Sequence, residues 1–249
     1  PSCALSKSLT KEINNDPVRF LSANYDGKII YMSSCSVYGT GEDILTEKSK
    51  LNPLSLYAES KIEDEKTLAN SNTICFRLGT IYGISDKFSR IRFDLVVNTL
   101  VMRAIFHNKV VVFGGKQYRP LLHVRDVAKA IVMVLDKEDT GIYNLQHSNL
   151  TINDIARKIK DNYPSLEIES TDIMFQDNRN YRVSSEKART KLGFNPTLTL
   201  DDAIIELKEL LEDGRVKNTF LKRFSNYLYL KPLLDKPTSP LGREIKVNL

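Results

Sequence analysis

An α/β fold with a mostly parallel sheet is what this sequence predicts, from three observations. Three continuous apolar runs of strand length, KIIYMSS (28–34), TICFRL (73–78) and GIYNLQ (141–146), read as buried strands. Longer stretches of 3.6-residue periodicity alternate with them, the pattern of strand-helix-strand units. Capping residues stand where those periods begin and end.

Taken in order, the first helix is expected over Lys7 to Asn24, kinked or restarted at Pro17 with Asp16 as a cap. The strand 28–34 leads to a helix from Leu56 to Asn70, and the strand 73–78 to helices from Phe93 to His107 and Val127 to Leu135. After the strand 141–146 come helices from Ile152 to Asn162 and Leu200 to Glu212. Thr151 with Asp154, and Thr199 with Asp202, have capping-box spacing, and Gly214 stops the last strong helix. TFLKRFSNYLYLKPLLDKPTSPLG is an aromatic, basic, Pro-rich extension expected to pack on the surface or on a partner.

Composition narrows the function class. Net charge is +5, from 36 basic and 31 acidic residues scattered along the chain, without the basic stripe or recognition motif of a nucleic-acid binder. A modest positive balance suits an anionic pyrophosphate substrate equally well. Three cysteines at unrelated spacings make no disulfide framework, and His107, His123 and His147 lack zinc spacing. No apolar run reaches the ~18 residues of a membrane span. The expectation is a cytoplasmic enzyme with no membrane, nucleic-acid or metal partner.

The residues that carry chemistry are Ser34, Tyr57 and Lys61, in KIIYMSSCSVYGTG and LNPLSLYAESK. Tyr57 and Lys61, at i and i+4, share one helix face, which sets an ammonium beside a phenol. A free phenol ionises near pH ~10, and each unit of depression takes about 1.36 kcal/mol of preference for the phenolate. The ammonium and an oxidised nicotinamide ring both act in that direction. A tyrosinate can then take a proton from a sugar hydroxyl while hydride leaves the same carbon, with Ser34 holding that hydroxyl in line. The pair alone is weak, since eleven tyrosines make about one accidental Tyr-x-x-x-Lys expected. A second, Tyr227 to Lys231, has no serine-bearing strand ahead of it; Pro232 is expected to end that stretch at once, and the pair reads as chance packing. Cys35 reads as a buried small hydrophobe alternating inward on a strand, and Asp126 as a helix cap.

In this context the chain resembles the extended short-chain dehydrogenase/reductases, especially the NAD-dependent nucleotide-sugar epimerases and dehydratases. SSCSVYG and YAESK are similar to the family's strand-serine and Tyr-Lys motifs, RLGTIYG to its Arg-x-x-Asn-x-Tyr-Gly segment, and RPLLHVRDVAKAI to its Arg-x-x-x-His-Val-x-Asp-Val-Ala segment. GIYNLQ, LTINDIARKI and VSSEKARTKLGFNPTLTLDDAI resemble its last sheet strand and C-terminal helices, so the likeness covers roughly residues 1 to 212.

The resemblance implies a Rossmann-type sheet interleaved with a smaller substrate-binding domain: residues 1–85 and 121–147 in the former, 86–120 and 148–214 in the latter, and 215–249 as an extension without assigned role. It implies cofactor contacts from Asn14, Ser33, Tyr57, Lys61 and Gly79, and substrate contacts from Ser34, Thr80, Arg119 and Arg179. Thr80 stands where the family has Asn. Met174 falls near a second phosphate-binding arginine, for which Arg179 is the substitute. Cys35 and Ser36 replace the Asp and Glu of the 4,6-dehydratases, which favours C4 epimerisation over dehydration, with dehydratase or reductase as the alternative. No glycine-rich strand-to-helix turn is present, although it normally cradles the dinucleotide pyrophosphate, so the N-terminal strands are expected to be missing and the chain to be a fragment. The cofactor is then NAD, with NADP left open, the partners are a nucleotide-diphosphate sugar and a second copy in a homodimer, and the rival reading is a non-catalytic binding remnant.

Overall fold

The computed structural model describes residues 2–86, 88–171, 179–219 and 221–235. After a 3-10 turn at Ser2–Leu5 come α1 (Lys7–Asn24), β1 (Ile29–Ser34), a 3-10 turn at Cys35–Tyr38, β2 (Thr40–Leu45), α2 (Leu56–Thr67), β3 (Thr73–Leu78) and β4 (Thr80–Tyr82). Then follow α3 (Val96–His107), β5 (Lys109–Phe113), β6 (Tyr118–His123), α4 (Val124–Val134), β7 (Gly141–Leu145), β8 (Ser148–Thr151) and α5 (Ile152–Asn162). The series closes with β9 (Glu167–Thr171), β10 (Asn180–Val183), α6 (Glu186–Leu192), α7 (Leu200–Glu212) and α8 (Asn226–Leu234).

The three apolar runs form one parallel sheet in the order β1-β3-β7. β3 lies in the middle and is buried from Thr73 to Arg77, whereas β1 is half-buried along most of its length. A fully buried β1 was expected. Among the described residues it pairs only with β3, so it is an edge strand with one row of backbone groups unpaired. The amphipathic stripe of α4 sets Val127, Ala130 and Val134 against Ile74, Phe76 and Leu145 of the sheet.

A second apolar cluster joins α3, α5 and α7, beside β4 and β6 (parallel), β8 (antiparallel to β6) and the parallel pair β5 and β9. Ile155, Ile159, Ile204 and Leu207 are fully buried there, each worth about 1.5–3 kcal/mol. Both predicted capping boxes form, at Thr151/Asp154 and Thr199/Asp202, and Gly214 takes φ +70° just past α7.

Several boundaries differ from expectation. α2 ends at Thr67 rather than Asn70, α3 begins at Val96 rather than Phe93, and α4 begins at Val124 rather than Val127. α1 runs unbroken through Pro17, with Ser6 as its cap, while Asp16 pairs with Arg19. The carbonyl that Pro17 deprives of a donor belongs to Ile13, whose side chain is 61% exposed, so water can reach it. α8 likewise continues through Pro232 to Leu234, above the half-exposed Leu228, so Tyr227 and Lys231 do share a helix. α8 rests against the Ser2–Leu5 turn. Asp126 is no cap: His123 caps α4, and the buried Asp126 carboxylate accepts the backbone amides of Thr197 and Leu198 instead.

Candidate active site

The sheet places Ser34 at the C-terminal end of β1, and the turn that follows brings α2 back over it. Ser55 caps α2 through Ala58 N, so Tyr57 lies in its first turn and Lys61 one turn further on. Ser34 lies near enough to the Tyr57 phenol to favour its ionised form. Ser34 Oγ accepts Ser36 N at 3.2 Å, which fixes the hydroxyl at the strand end.

The electrostatics differ from the sequence expectation of a depressed phenol. Burial holds the Tyr57 phenol above its ordinary value, opposed by the Ser34 hydroxyl and by the charges of Arg179 and Arg92. Burial likewise lowers the Lys61 ammonium, opposed chiefly by Asp64. Lys61 Nζ donates to Tyr31 Oη at 2.9 Å and sits 4.6 Å from that ring, against 5.8 Å from the Tyr57 ring. Tyr31 in turn donates to Asp64 at 2.5 Å, and Asp64 also accepts Asn15 Nδ2 at 2.7 Å. The ammonium is therefore anchored from β1 and leans less on the phenol than the bare i, i+4 spacing implies.

Behind this group lies a buried ionic platform. Arg77 donates to Glu65 through Nε at 2.9 Å and Nη2 at 2.6 Å, with side-chain exposures of 3% and 4%. Ser33 donates to the same carboxylate at 2.6 Å, and Arg77 Nη1 to Tyr38 Oη at 2.8 Å. Tyr38 passes the chain on to Asn144 at 2.8 Å. Cys35 is fully buried in the 3-10 turn, not on the strand; its thiol donates to the Arg77 carbonyl and burial pushes its pKa up, so it is no nucleophile.

Of the residues assigned to the cofactor, Asn14 Nδ2 donates to Ser60 Oγ at 3.2 Å and helps lock α1 onto α2. The Ser33 side chain is consumed by Glu65, and the Gly79 amide by the carbonyl of Leu145 at 2.9 Å. A Cβ on Gly79 would meet the Pro120 carbonyl at 2.9 Å, so the glycine is there to let β6 pass. The Ser33 side chain and the Gly79 amide are thus engaged by the fold, as the Asn14 amide is by Ser60.

Thr80 is half-buried at the head of β4, opposite Leu121 of β6. Arg119, expected as a substrate contact, is 5% exposed. Its Nη1 donates to the carbonyls of Tyr118 and Arg179, so the two arginines are adjacent. Met174 lies outside the described residues. Arg92 was missed because it stands in a loop without periodicity. Asp64 was missed although it lies on the Tyr57–Lys61 helix face, three residues beyond the lysine. No cluster of metal-ligating side chains exists among the described residues, nor any helix long and apolar enough to cross a membrane.

This arrangement has relatives. A UDP-glucose epimerase named YtcB and described as uncharacterized, from Bacillus subtilis, is 24% identical over 188 residues, 70% of this chain and 57% of that protein. The beta subunit of methionine adenosyltransferase 2 from Xenopus tropicalis is 26% identical over 144 residues, 56% of this chain and 42% of its own. The chain thus spans about half the length of these curated relatives. A solved structure described as the NAD-dependent NDP-hexosamine 5,6-dehydratase TunA, of tunicamycin biosynthesis, superposes with a TM-score of 0.75 at 21% identity, over 87% of this chain and 75% of that one. The fold is accordingly that of a Rossmann-like α/β protein. The family model for the NAD dependent epimerase/dehydratase family matches residues 13–145, which hold the C-terminal two-thirds of α1, the parallel sheet through β7, and Ser34, Tyr57 and Lys61 together, and to that family this chain belongs.

Proposed function

We propose that this chain carries the catalytic group and the substrate grip of an NAD-dependent nucleotide-sugar 4-epimerase. The reading rests on one juxtaposition: Ser34 at the end of a parallel strand beside the Tyr57 phenol, with Lys61 one turn on and Arg179 close enough to bias the phenol. Residues 1–85 and 121–147 then form the cofactor-binding part, and 86–120 with 148–214 the substrate-binding part.

NAD, when bound, would supply the hydride acceptor and donor for C4 of the sugar. Tyr57 and Lys61, with Asn14 nearby, would hold its nicotinamide-ribose end; no glycine-rich strand-to-helix turn among the described residues offers donors to its pyrophosphate. Tyr57 takes the proton from the C4 hydroxyl and later gives it back, with Ser34 relaying it and keeping the hydroxyl in line. Lys61 stabilises the phenolate while Tyr31 and Asp64 hold the ammonium in place. Arg119 and Arg179 present charged forks to the substrate pyrophosphate, beside Thr80. Cys35 is buried as a thiol and Ser36 is a hydroxyl, so neither protonates a leaving hydroxyl, which sets epimerisation ahead of dehydration or reduction.

The test is Tyr57→Phe, assayed with NAD and a UDP- or dTDP-hexose. Turnover should fall by about 10²–10⁴-fold with sugar-nucleotide affinity nearly unchanged. The wild-type product should be the C4 epimer with no net 4-keto-6-deoxy sugar. Near-normal turnover in the variant, or a stable keto product from the wild type, sinks the assignment. One observation favours a second reading, a non-catalytic binding subunit: the likeness to a protein named as a subunit of an adenosyltransferase. Sugar-nucleotide binding by wild-type protein without any turnover would support that reading instead.

A further inference from the structure

On the flank of the molecule, the segment Phe88–Ile91 and the segment after α7 enclose a cavity of about 210 Å³ lined by Arg90, Arg215 and Arg223 over Ile91, Val216 and Phe224. Its floor is firm, since those three apolar residues are at most 5% exposed and the Phe93 amide donates to the Phe224 carbonyl at 3.0 Å. Three arginines line it, and none of them forms an ion pair among the described residues. Two carboxylates of the flanking segments are engaged elsewhere: Asp86 accepts the amides of Phe88 and Ser89, and Asp94 accepts Arg92 and the amide of Asn226.

The arginines are held in position by neutral partners. Arg90 donates to the Arg223 carbonyl at 3.2 Å and to Asn226 Oδ1. Arg215 Nη2 donates to the Ser89 carbonyl at 3.0 Å, and its guanidinium lies 6.0 Å from the Phe88 ring. Arg215 Nη1, on the same fork, is buried with no hydrogen-bond partner.

We propose that this cavity is a binding site for a phosphate-type dianion, either inorganic phosphate or the phosphate group of a small phosphomonoester. Guanidinium groups on three lining residues match a tetrahedral group with three or more acceptor oxygens better than a two-oxygen carboxylate. The volume is below the roughly 300–1,000 Å³ of sites that enclose drug-sized ligands, so a phosphate head group fits and a whole nucleotide sugar does not. The site lies partly beyond the family-matched residues 13–145, and it stands on its own whether or not Tyr57 is catalytic.

The experiment is calorimetric titration of the full chain with potassium phosphate, and separately with a hexose 1-phosphate, against chloride at matched ionic strength. One saturable site is expected, weakened at least about tenfold by Arg215→Gln, which removes one of the three lining charges. Ser89→Asp keeps every arginine and supplies an internal carboxylate; it should weaken binding to the same degree, and circular dichroism checks that both variants are folded. An ester that binds tenfold tighter than inorganic phosphate assigns the site to a phosphomonoester, and equal affinities assign it to free phosphate. No saturable binding by folded wild-type protein, or unchanged affinity in both folded variants, overturns the proposal.

Discussion

Removing the Glu65 carboxylate should be among the most damaging single changes available to this fold. Glu65→Ala takes away two acceptors from Arg77, at 2.9 and 2.6 Å, and the acceptor of Ser33 at 2.6 Å. The Arg77 side chain is 3% exposed, so the stranded charge cannot turn to water and keeps only Tyr38 on its far nitrogen. Breaking one side of a buried pair costs about 3–5 kcal/mol, and the orphaned Ser33 hydroxyl about 1 kcal/mol more. Against a whole stability of about 5–15 kcal/mol, that is a third or more for a typical domain. Replacing both partners with apolar residues, Glu65→Leu with Arg77→Met, leaves no buried charge and should recover most of the loss. Urea denaturation of wild type, both singles and the double completes the cycle. A loss under about 1 kcal/mol in Glu65→Ala, or a double no more stable than the worse single, would refute the account.

Stability should also depend on pH through His123, which is fully buried against Tyr82, Arg125 and Glu206 and whose pKa is lowered to about 4, first by burial and then by the Arg125 charge. The folded state resists protonation that the unfolded chain accepts near its ordinary 6.5, so stability present above pH 6.5 is lost as pH falls toward 4, by roughly 3 kcal/mol; urea midpoints of His123→Asn should flatten that window, and a slope identical to wild type would count against it. The exposed apolar side chains Ile13, Phe20 and Leu21 on α1 support the expectation of a two-fold dimer through α1 and α2. Sedimentation at micromolar concentration should give twice the chain mass, with Phe20→Glu reducing it to one, and a strictly monomeric wild type contradicts the pairing.

What the sequence revealed and what it hid divide along the range of the interactions. The apolar runs of β1, β3 and β7 and both capping boxes were legible because each rests on residues a few positions apart. Asp126 was misread because an Asp in a first helical turn looks like a local device, whereas its acceptors serve amides 71 and 72 residues away. Pro17 and Pro232 were read as breaks because a missing donor is visible in sequence, while the solvent beside Ile13 and Leu228 that tolerates it is not. Ser34, Tyr57 and Lys61 were found by their spacing. Tyr31 was not, since nothing in its own segment announces that its hydroxyl meets a lysine thirty positions on.

That missed tyrosine changes what the catalytic group asks of its surroundings. The simple picture has Lys61 lowering the Tyr57 pKa by direct proximity, yet its nitrogen is bonded to Tyr31, and the Tyr31–Asp64 bond draws it toward β1. Burial then wins at Tyr57: desolvation outweighs the Ser34 hydroxyl and the two arginine charges, and the phenol stays above its ordinary value. Each unit by which it must descend toward neutrality takes about 1.36 kcal/mol of added preference for the phenolate. Arg92 and Arg179 already act in that direction, and the oxidised nicotinamide ring of a bound cofactor would add a positive charge beside the phenol. Ionisation of Tyr57 in the proposed reaction is therefore coupled to filling the site, so that the base is made in the complex and a free cleft keeps its proton.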